Sequence, residues 1–135
     1  MNPFENLKNM RTLLVDDDEL IRDSLSIAFK NKGCPLQTAE TAEEGLQALR
    51  EESFDIILSD FKLPGIDGIE FLKLATAYHP NSVKILITAY GDADTVSKAL
   101  GAGAQDLIEK PFSIRMLVDS LNRLIQTGSE KRGPS

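Results

Sequence analysis

The sequence predicts a single α/β domain built on a doubly wound parallel sheet, and three observations carry that expectation. Short runs rich in Val, Ile and Leu recur at residues 12–15, 55–59, 83–88 and 107–108, and apolar runs with little alternation mark strands buried on both faces of a sheet. Longer stretches with apolar residues at helical spacing lie between them. The two textures alternate along the chain as five successive βα units, an order that implies right-handed crossovers with helices on both faces of the sheet.

Each element has its own signal. Residues 1–10 show no pattern and are expected to form a loose lead-in or a fraying turn, so the folded domain is expected over 11–126. The first helix, 19–32, carries Ile21, Leu25, Ala28 and Phe29 on one face and stops at Gly33. Residues 36–39 form the weakest strand candidate, after Gly33 and Pro35. Thr41 with Glu44 makes a capping box for a helix over 42–52. Asp67 can cap a helix bearing Ile69, Phe71, Leu72 and Leu74, which must stop before Pro80. A fourth helix over 92–100 ends at Gly101 and Gly103, and Ser113 caps a fifth over 115–126. Residues 127–135 lack apolar side chains and are expected to form a flexible tail or linker stub.

Composition narrows the function classes. With 135 residues the chain is long enough for one core that needs no disulfide or structural metal. Cys34 is its only cysteine, which excludes an internal disulfide and suits a reducing compartment. It is expected to be a partly buried loop residue without special reactivity. His79, before Pro80, is expected at the surface. No run resembles a signal peptide or approaches the ~20 apolar residues of a membrane span, so a cytoplasmic location is expected, with no membrane partner. A net charge of -6 argues against direct binding of nucleic acid, although ordinary solubility explains it equally well.

Ligands of open parallel sheets bind outside the carboxyl ends of the strands. The first strand delivers Asp16, Asp17 and Asp18 there, the third Asp60, the fourth Thr88 and Ala89, and the fifth Lys110 and Pro111. Clustered carboxylates repel one another, and a cation would relieve them. Oxygen ligands on a shallow edge suit Mg²⁺, with Mn²⁺ as the alternative. A carboxylate can attack phosphorus, and a phosphoryl group in transfer needs its oxygens neutralised by metal, ammonium and hydroxyl or backbone donors together. All these parts fall on one edge, but they leave open which aspartate reacts.

Four segments carry a resemblance that closes the question: Leu13 to Glu19 (LLVDDDE), Ser59 to Gly68 (SDFKLPGIDG), Ile87 to Tyr90 (ITAY), and Gly103 to Asp106 with Glu109 to Phe112 (GAQD, EKPF). Together they resemble the receiver domains of two-component response regulators, over about residues 11–126. The resemblance implies a flavodoxin-like strand order 2-1-3-4-5, with Asp60 as phosphoacceptor. It implies that Asp17 ligates Mg²⁺ directly, Asp16 through water, and that Asp60 and the Lys62 carbonyl complete the set. Thr88, the Ala89 backbone and Lys110 would hold the phosphoryl group. Pro64, Gly65 and Gly68 would shape the loop after the acceptor, and the Lys110–Pro111 bond would be cis. Lys62 and Tyr90 would tune the phosphoryl lifetime. Leu20, Ile21, Pro111 and Phe112 would help dock a histidine kinase or a histidine phosphotransfer domain. An output domain or downstream protein would read the switch. The chain would thus be a phosphoacceptor rather than an enzyme acting on other substrates.

One departure stands out. Receivers usually carry Tyr or Phe three positions before the lysine, where this chain has Leu107, so the usual coupling of hydroxyl to aromatic is not expected here in its ordinary form. The rival classes fit less well. A haloacid-dehalogenase-type phosphatase also forms aspartyl-phosphate, and Asp16 with Asp18 gives its D-x-D, but Leu20 stands where that motif has Thr or Val. A flavodoxin-like FMN carrier needs a phosphate loop after the first strand, where this chain is anionic. A receiver used only for docking would not need the complete set of aspartates, Thr88 and Lys110. Asp18 is expected to serve as an acid at a helix N-terminus.

Overall fold

A computed structural model of the chain describes residues 2–131. Five strands, β1 (Thr12–Val15), β2 (Leu36–Ala39), β3 (Ile56–Asp60), β4 (Val83–Thr88) and β5 (Asp106–Glu109), form one sheet in the order β2-β1-β3-β4-β5. All neighbours are parallel. The helices are α1 (Glu19–Asn31), α2 (Ala42–Glu51), α3 (Gly68–Tyr78), α4 (Ala93–Gly101) and α5 (Ile114–Lys131). This is the doubly wound (βα)5 fold and strand order expected from the sequence.

The sheet has a core on each face because strand side chains alternate. Leu13, Val15, Ile57 and Leu86 point to one side and pack with Ala48 and Leu49 of α2, Phe71 and Leu72 of α3, and Ala99 of α4. Leu14, Leu58, Ile85 and Ile87 point to the other and pack with Leu25 and Phe29 of α1 and Leu117 and Leu121 of α5. Every residue of β1 and β3 is buried, which is why neither shows the alternation of a strand with one face in solvent. Each such Leu or Ile contributes about 1.5–3 kcal/mol on burial.

Three helix starts follow the expected caps at Thr41, Asp67 and Ser113, and Asp18 and Asp92 cap the other two. Backbone N–H groups of Leu20, Glu44, Glu70, Thr95 and Met116 donate to the side chains of Asp18, Thr41, Asp67, Asp92 and Ser113. Replacing such a cap by Ala costs about 0.5–2 kcal/mol.

Both ends of the chain depart from expectation. The lead-in is not loose. Residues Glu5–Leu7 form a 3₁₀ turn, Phe4 and Leu7 are buried, and Phe4 meets the Phe29 ring edge-on with centroids 5.7 Å apart. Asn122 donates to the Pro3 carbonyl at 2.8 Å and accepts from Asn6 at 3.1 Å. An apolar pair three residues apart is too short to show a period, so tertiary contact and not local pattern orders this segment. At the other end α5 runs through Lys131 instead of stopping at Gln126. Extending a formed helix adds one hydrogen bond per residue fixed, and Gly128 alone opposes it by only about 1 kcal/mol. The remainder of the expected tail, 132–135, lies outside the described residues.

One residue departs from expectation, and another was not singled out in the sequence. His79 is half-buried, with Nε2 at 3.0 Å from the Leu49 carbonyl oxygen. Lys84, inside an apolar run, is fully buried, and its ammonium donates to the carbonyls of His79 at 2.7 Å and Ser82 at 3.0 Å. Burial lowers its pKa. Cys34 is buried in the loop before β2.

Candidate functional site

Strand register assembles the site. Val15 pairs with Ser59, so the next residues, Asp16 and Asp60, emerge side by side at the carboxyl edge. Asp60 pairs with Ile87, which brings Thr88 to the same edge. Thr88 pairs with Glu109, and the Lys110 N–H donates to the Thr88 carbonyl at 2.8 Å, carrying Lys110 in behind it. The Lys110–Pro111 bond is cis. The edge coincides with the point between β1 and β3 where the chain reverses its direction of winding.

Three carboxylates converge there. Asp16, Asp17 and Asp60 each place an oxygen within 4.8 Å of the others. Asp16 and Asp60 are buried and Asp17 is exposed. A single ammonium serves this group: Lys110 Nζ lies 3.2 Å from Asp16 Oδ2 and 3.3 Å from Asp60 Oδ1. Burial, then the neighbouring Asp16 charge, raises the Asp60 pKa from 3.8 to about 6 against the pull of Lys110. Burial likewise raises Asp16, despite the Asp18 N–H that donates to its Oδ1 at 2.9 Å. For Lys110, burial acts downward, but Asp16 and Asp60 together override it and raise the pKa. The carboxylates are therefore short of positive charge. Asp16 Oδ2 is buried and makes no hydrogen bond; the ammonium approaches it as an ion pair without hydrogen-bond direction. An all-oxygen donor set of three converging carboxylates, two of which share one ammonium, fits a hard divalent cation.

The other expected residues surround this centre. Thr88 is buried, and its Oγ1 accepts from the Tyr90 N–H at 2.9 Å. Asp18 is drawn away as the cap of α1, accepting from Leu20 N–H, so the second acid of a D-x-D pair is engaged elsewhere. The loop after Asp60 returns tightly. Gly68 N–H donates to the Phe61 carbonyl at 2.8 Å, and a Cβ at Gly68 would lie 2.1 Å from the Asp60 carbonyl oxygen. Only glycine fits there. Gly65 takes a φ of +80°, which also favours glycine. Lys62 and Tyr90 stack at the rim, with Nζ 5.0 Å from the ring centre. Leu107 is half-buried on β5, away from the acids, and lines a separate cleft of about 300 Å³ with Val96 and Leu100 of α4.

Beside Lys110 an open groove of about 420 Å³ is lined by Leu20, Ile21, Ser24, Pro111 and Phe112. It brings together the four residues expected to dock a partner. Leu20, at 76% exposed, is far more accessible than a core residue would be. One residue at the site drew no attention in the sequence: Arg22, whose Nη1 donates to the Asp16 carbonyl at 2.9 Å. A basic residue in the first turn of a helix was the available signal.

The comparisons with known proteins agree with this architecture. The family model of the response regulator receiver domain matches residues 12–122, and the chain belongs to that family. Response regulator protein FleR of Pseudomonas aeruginosa is 38% identical over 127 residues, covering 92% of this chain and 27% of that protein. The DNA-binding transcriptional regulator NtrC of Klebsiella pneumoniae is 37% identical over 121 residues, covering 90% of this chain and 26% of its own length. The chain thus spans about a quarter of these relatives. Among solved structures, a response regulator receiver domain protein (CheY-like) from Methanospirillum hungatei matches with TM-score 0.85 and 35% identity, covering 92% of this chain and 98% of that one. Receiver domains are phosphoacceptor switches of two-component signalling, and that is the class of this chain. No helix among the described residues is long and apolar enough to cross a membrane.

Proposed function

We propose that Asp60 is the residue that accepts the phosphoryl group, from a histidine kinase or histidine phosphotransfer domain, in a reaction that depends on a divalent cation. The observation that carries the reading is the shared ammonium: one lysine bridges the two buried carboxylates of a three-acid cluster at the switch point of the sheet.

Asp60 is the natural nucleophile of the three. It ends β3 at the edge, and with a pKa of about 6 it is mainly ionised at neutral pH yet more basic than an ordinary carboxylate. Its oxygen attacks phosphorus as the bond from phosphorus to the donor's imidazole nitrogen breaks, and the imidazole leaves with the electron pair. Asp16, Asp17, Asp60 and the Lys62 carbonyl would hold Mg²⁺, or Mn²⁺, which when bound supplies charge neutralisation for the acids and the phosphoryl oxygens. Lys110 remains within reach of the acceptor and pairs with a phosphoryl oxygen. Thr88 Oγ1 accepts from the Tyr90 amide, which leaves its hydroxyl hydrogen to donate to the group, and the Ala89 N–H would offer a further donor. The apolar groove at Leu20, Ile21, Pro111 and Phe112 lies next to Lys110, so a docked donor helix would stand close to the reacting edge. The switch would be read by an output domain or by a downstream protein.

Incubation with acetyl phosphate and Mg²⁺ tests the reading: the wild type should gain one acid-stable, hydroxylamine-labile phosphoryl group, and Asp60→Asn none.

A further inference from the structure

Arg22 sits where α1 alone gives no reason for it. The first turn of a helix favours acids and disfavours cations, because its N–H groups form the positive end of the dipole. The guanidinium does not escape into solvent either: the side chain is only 18% exposed. It folds back under the acid turn, where Nη1 donates to the Asp16 carbonyl oxygen at 2.9 Å. Its other terminal nitrogen, Nη2, lies 3.8 Å from Glu40 Oε1. The Glu40 N–H is itself held by Glu44 at 3.0 Å, inside the cap of α2. One planar fork therefore ties α1 to the ends of β1 and β2.

The tie acts on a particular bond. The Asp16 N–H donates to the Ala39 carbonyl at 3.1 Å, and Asp16 Oδ1 accepts from the Asp18 N–H at 2.9 Å. With the Asp16 carbonyl held by Arg22, the peptide joining Asp16 to Asp17 has its orientation set. Asp17 is exposed, so its carboxylate takes its direction from its own backbone and not from packing around it.

We propose that Arg22 is a positioning residue of the acid site, holding the Asp16–Asp17 peptide so that the Asp17 carboxylate meets those of Asp16 and Asp60. This rests on the reading of that cluster as a cation site. The role needs arginine: a guanidinium presents rigid, divergent donors to two acceptors, whereas a lysine ammonium is a point charge on a flexible stem.

The deciding variant is Arg22→Lys, which keeps the charge and removes the fork. Titration with Mn²⁺, followed by electron paramagnetic resonance, should show a Kd raised about ten-fold, the usual scale for groups that orient metal ligands. A purely electrostatic role predicts the opposite pattern, with Arg22→Gln tightening Mn²⁺ and Arg22→Lys unchanged; that result overturns the proposal. A metal-free readout separates it from the cation reading. In apo Arg22→Lys, amide exchange at Asp18, whose N–H donates to Asp16 Oδ1, should accelerate while the amides of β1 and β3 keep their protection. Unchanged exchange at Asp18 overturns the proposal, and so does a uniform loss of protection, which would make Arg22 a general brace. If wild type and Asp17→Asn bind Mn²⁺ equally poorly, the cation reading fails and the exchange result still decides the role of Arg22.

Discussion

The Lys62 ammonium lies 5.0 Å from the centre of the Tyr90 ring, over its face. Phe61 also packs on Tyr90, edge-on, with centroids 6.1 Å apart and planes at 72°. Lys62 and Tyr90, which on the proposed reading would flank the approach to Asp60, are thereby held to each other. Neither carries a carboxylate or carboxamide able to orient an attacking water. A cation–π contact of this kind is worth about 0.5–1 kcal/mol, so Lys62→Asn and Tyr90→Ala should each speed spontaneous loss of the phosphoryl group by about two- to five-fold. Dephosphorylation followed after removal of the donor checks this, and unchanged rates in both variants would refute the shielding role.

The raised pKa of Asp60 has a consequence for stability. Its carboxyl holds a proton more tightly in the folded chain, at about 6, than at the ordinary 3.8. Between those values the folded state binds more protons than the unfolded state, so unfolding free energy falls as pH rises through about 4 to 6. At pH 7.5 the cost is fully present, with an upper limit of about 3 kcal/mol. Asp60→Asn removes the titrating group. Urea denaturation without metal should find this variant more stable than wild type by about 1–3 kcal/mol at pH 7.5, with the gap closing near pH 4. A variant less stable than wild type at pH 7.5 would contradict the account.

Cation binding should oppose that cost. Mg²⁺ at about 100 times its Kd would stabilise the wild type by about 2.7 kcal/mol. Asp17→Asn removes one of the three converging carboxylates, and its melting temperature should respond little to Mg²⁺. An undiminished response would remove Asp17 from the ligand set.

The parts of this fold legible in sequence were those governed by local rules. β1 and β3 showed themselves because both faces are buried, and the caps at Thr41, Asp67 and Ser113 announced three of the helices. The site was legible for a related reason: strand ends fix which residues reach one edge, and register then makes Asp16, Asp60, Thr88 and Lys110 neighbours. What escaped depends on contacts between distant segments. Phe4 and Leu7 are ordered by Phe29 and Asn122, not by their neighbours in sequence. Lys84 hides its charge among the carbonyls of His79 and Ser82, and a strand pattern read as apolar says nothing about them. Arg22 reaches across to two other elements, which only the folded chain reveals.

Leu107 sets an expectation for the switch. It is half-buried beside the α4–β5 cleft, where Val96 and Leu100 complete the lining. A leucine there has no ring or hydroxyl to exchange between a buried and an exposed partner, so phosphorylation should alter this face only modestly. Beryllofluoride should change amide exchange in α4, β5 and α5 less in wild type than in Leu107→Tyr. Equal changes in the two would show that the coupling does not pass through this side chain.

The central claim is that Asp60, held with Asp16 against Lys110, is the phosphoacceptor. Intact-protein mass spectrometry after acetyl phosphate and Mg²⁺ treatment tests it most directly. The account predicts one added phosphoryl group in the wild type and none in a folded Asp60→Asn variant. Equal uptake by both would place the phosphoryl group elsewhere and contradict it.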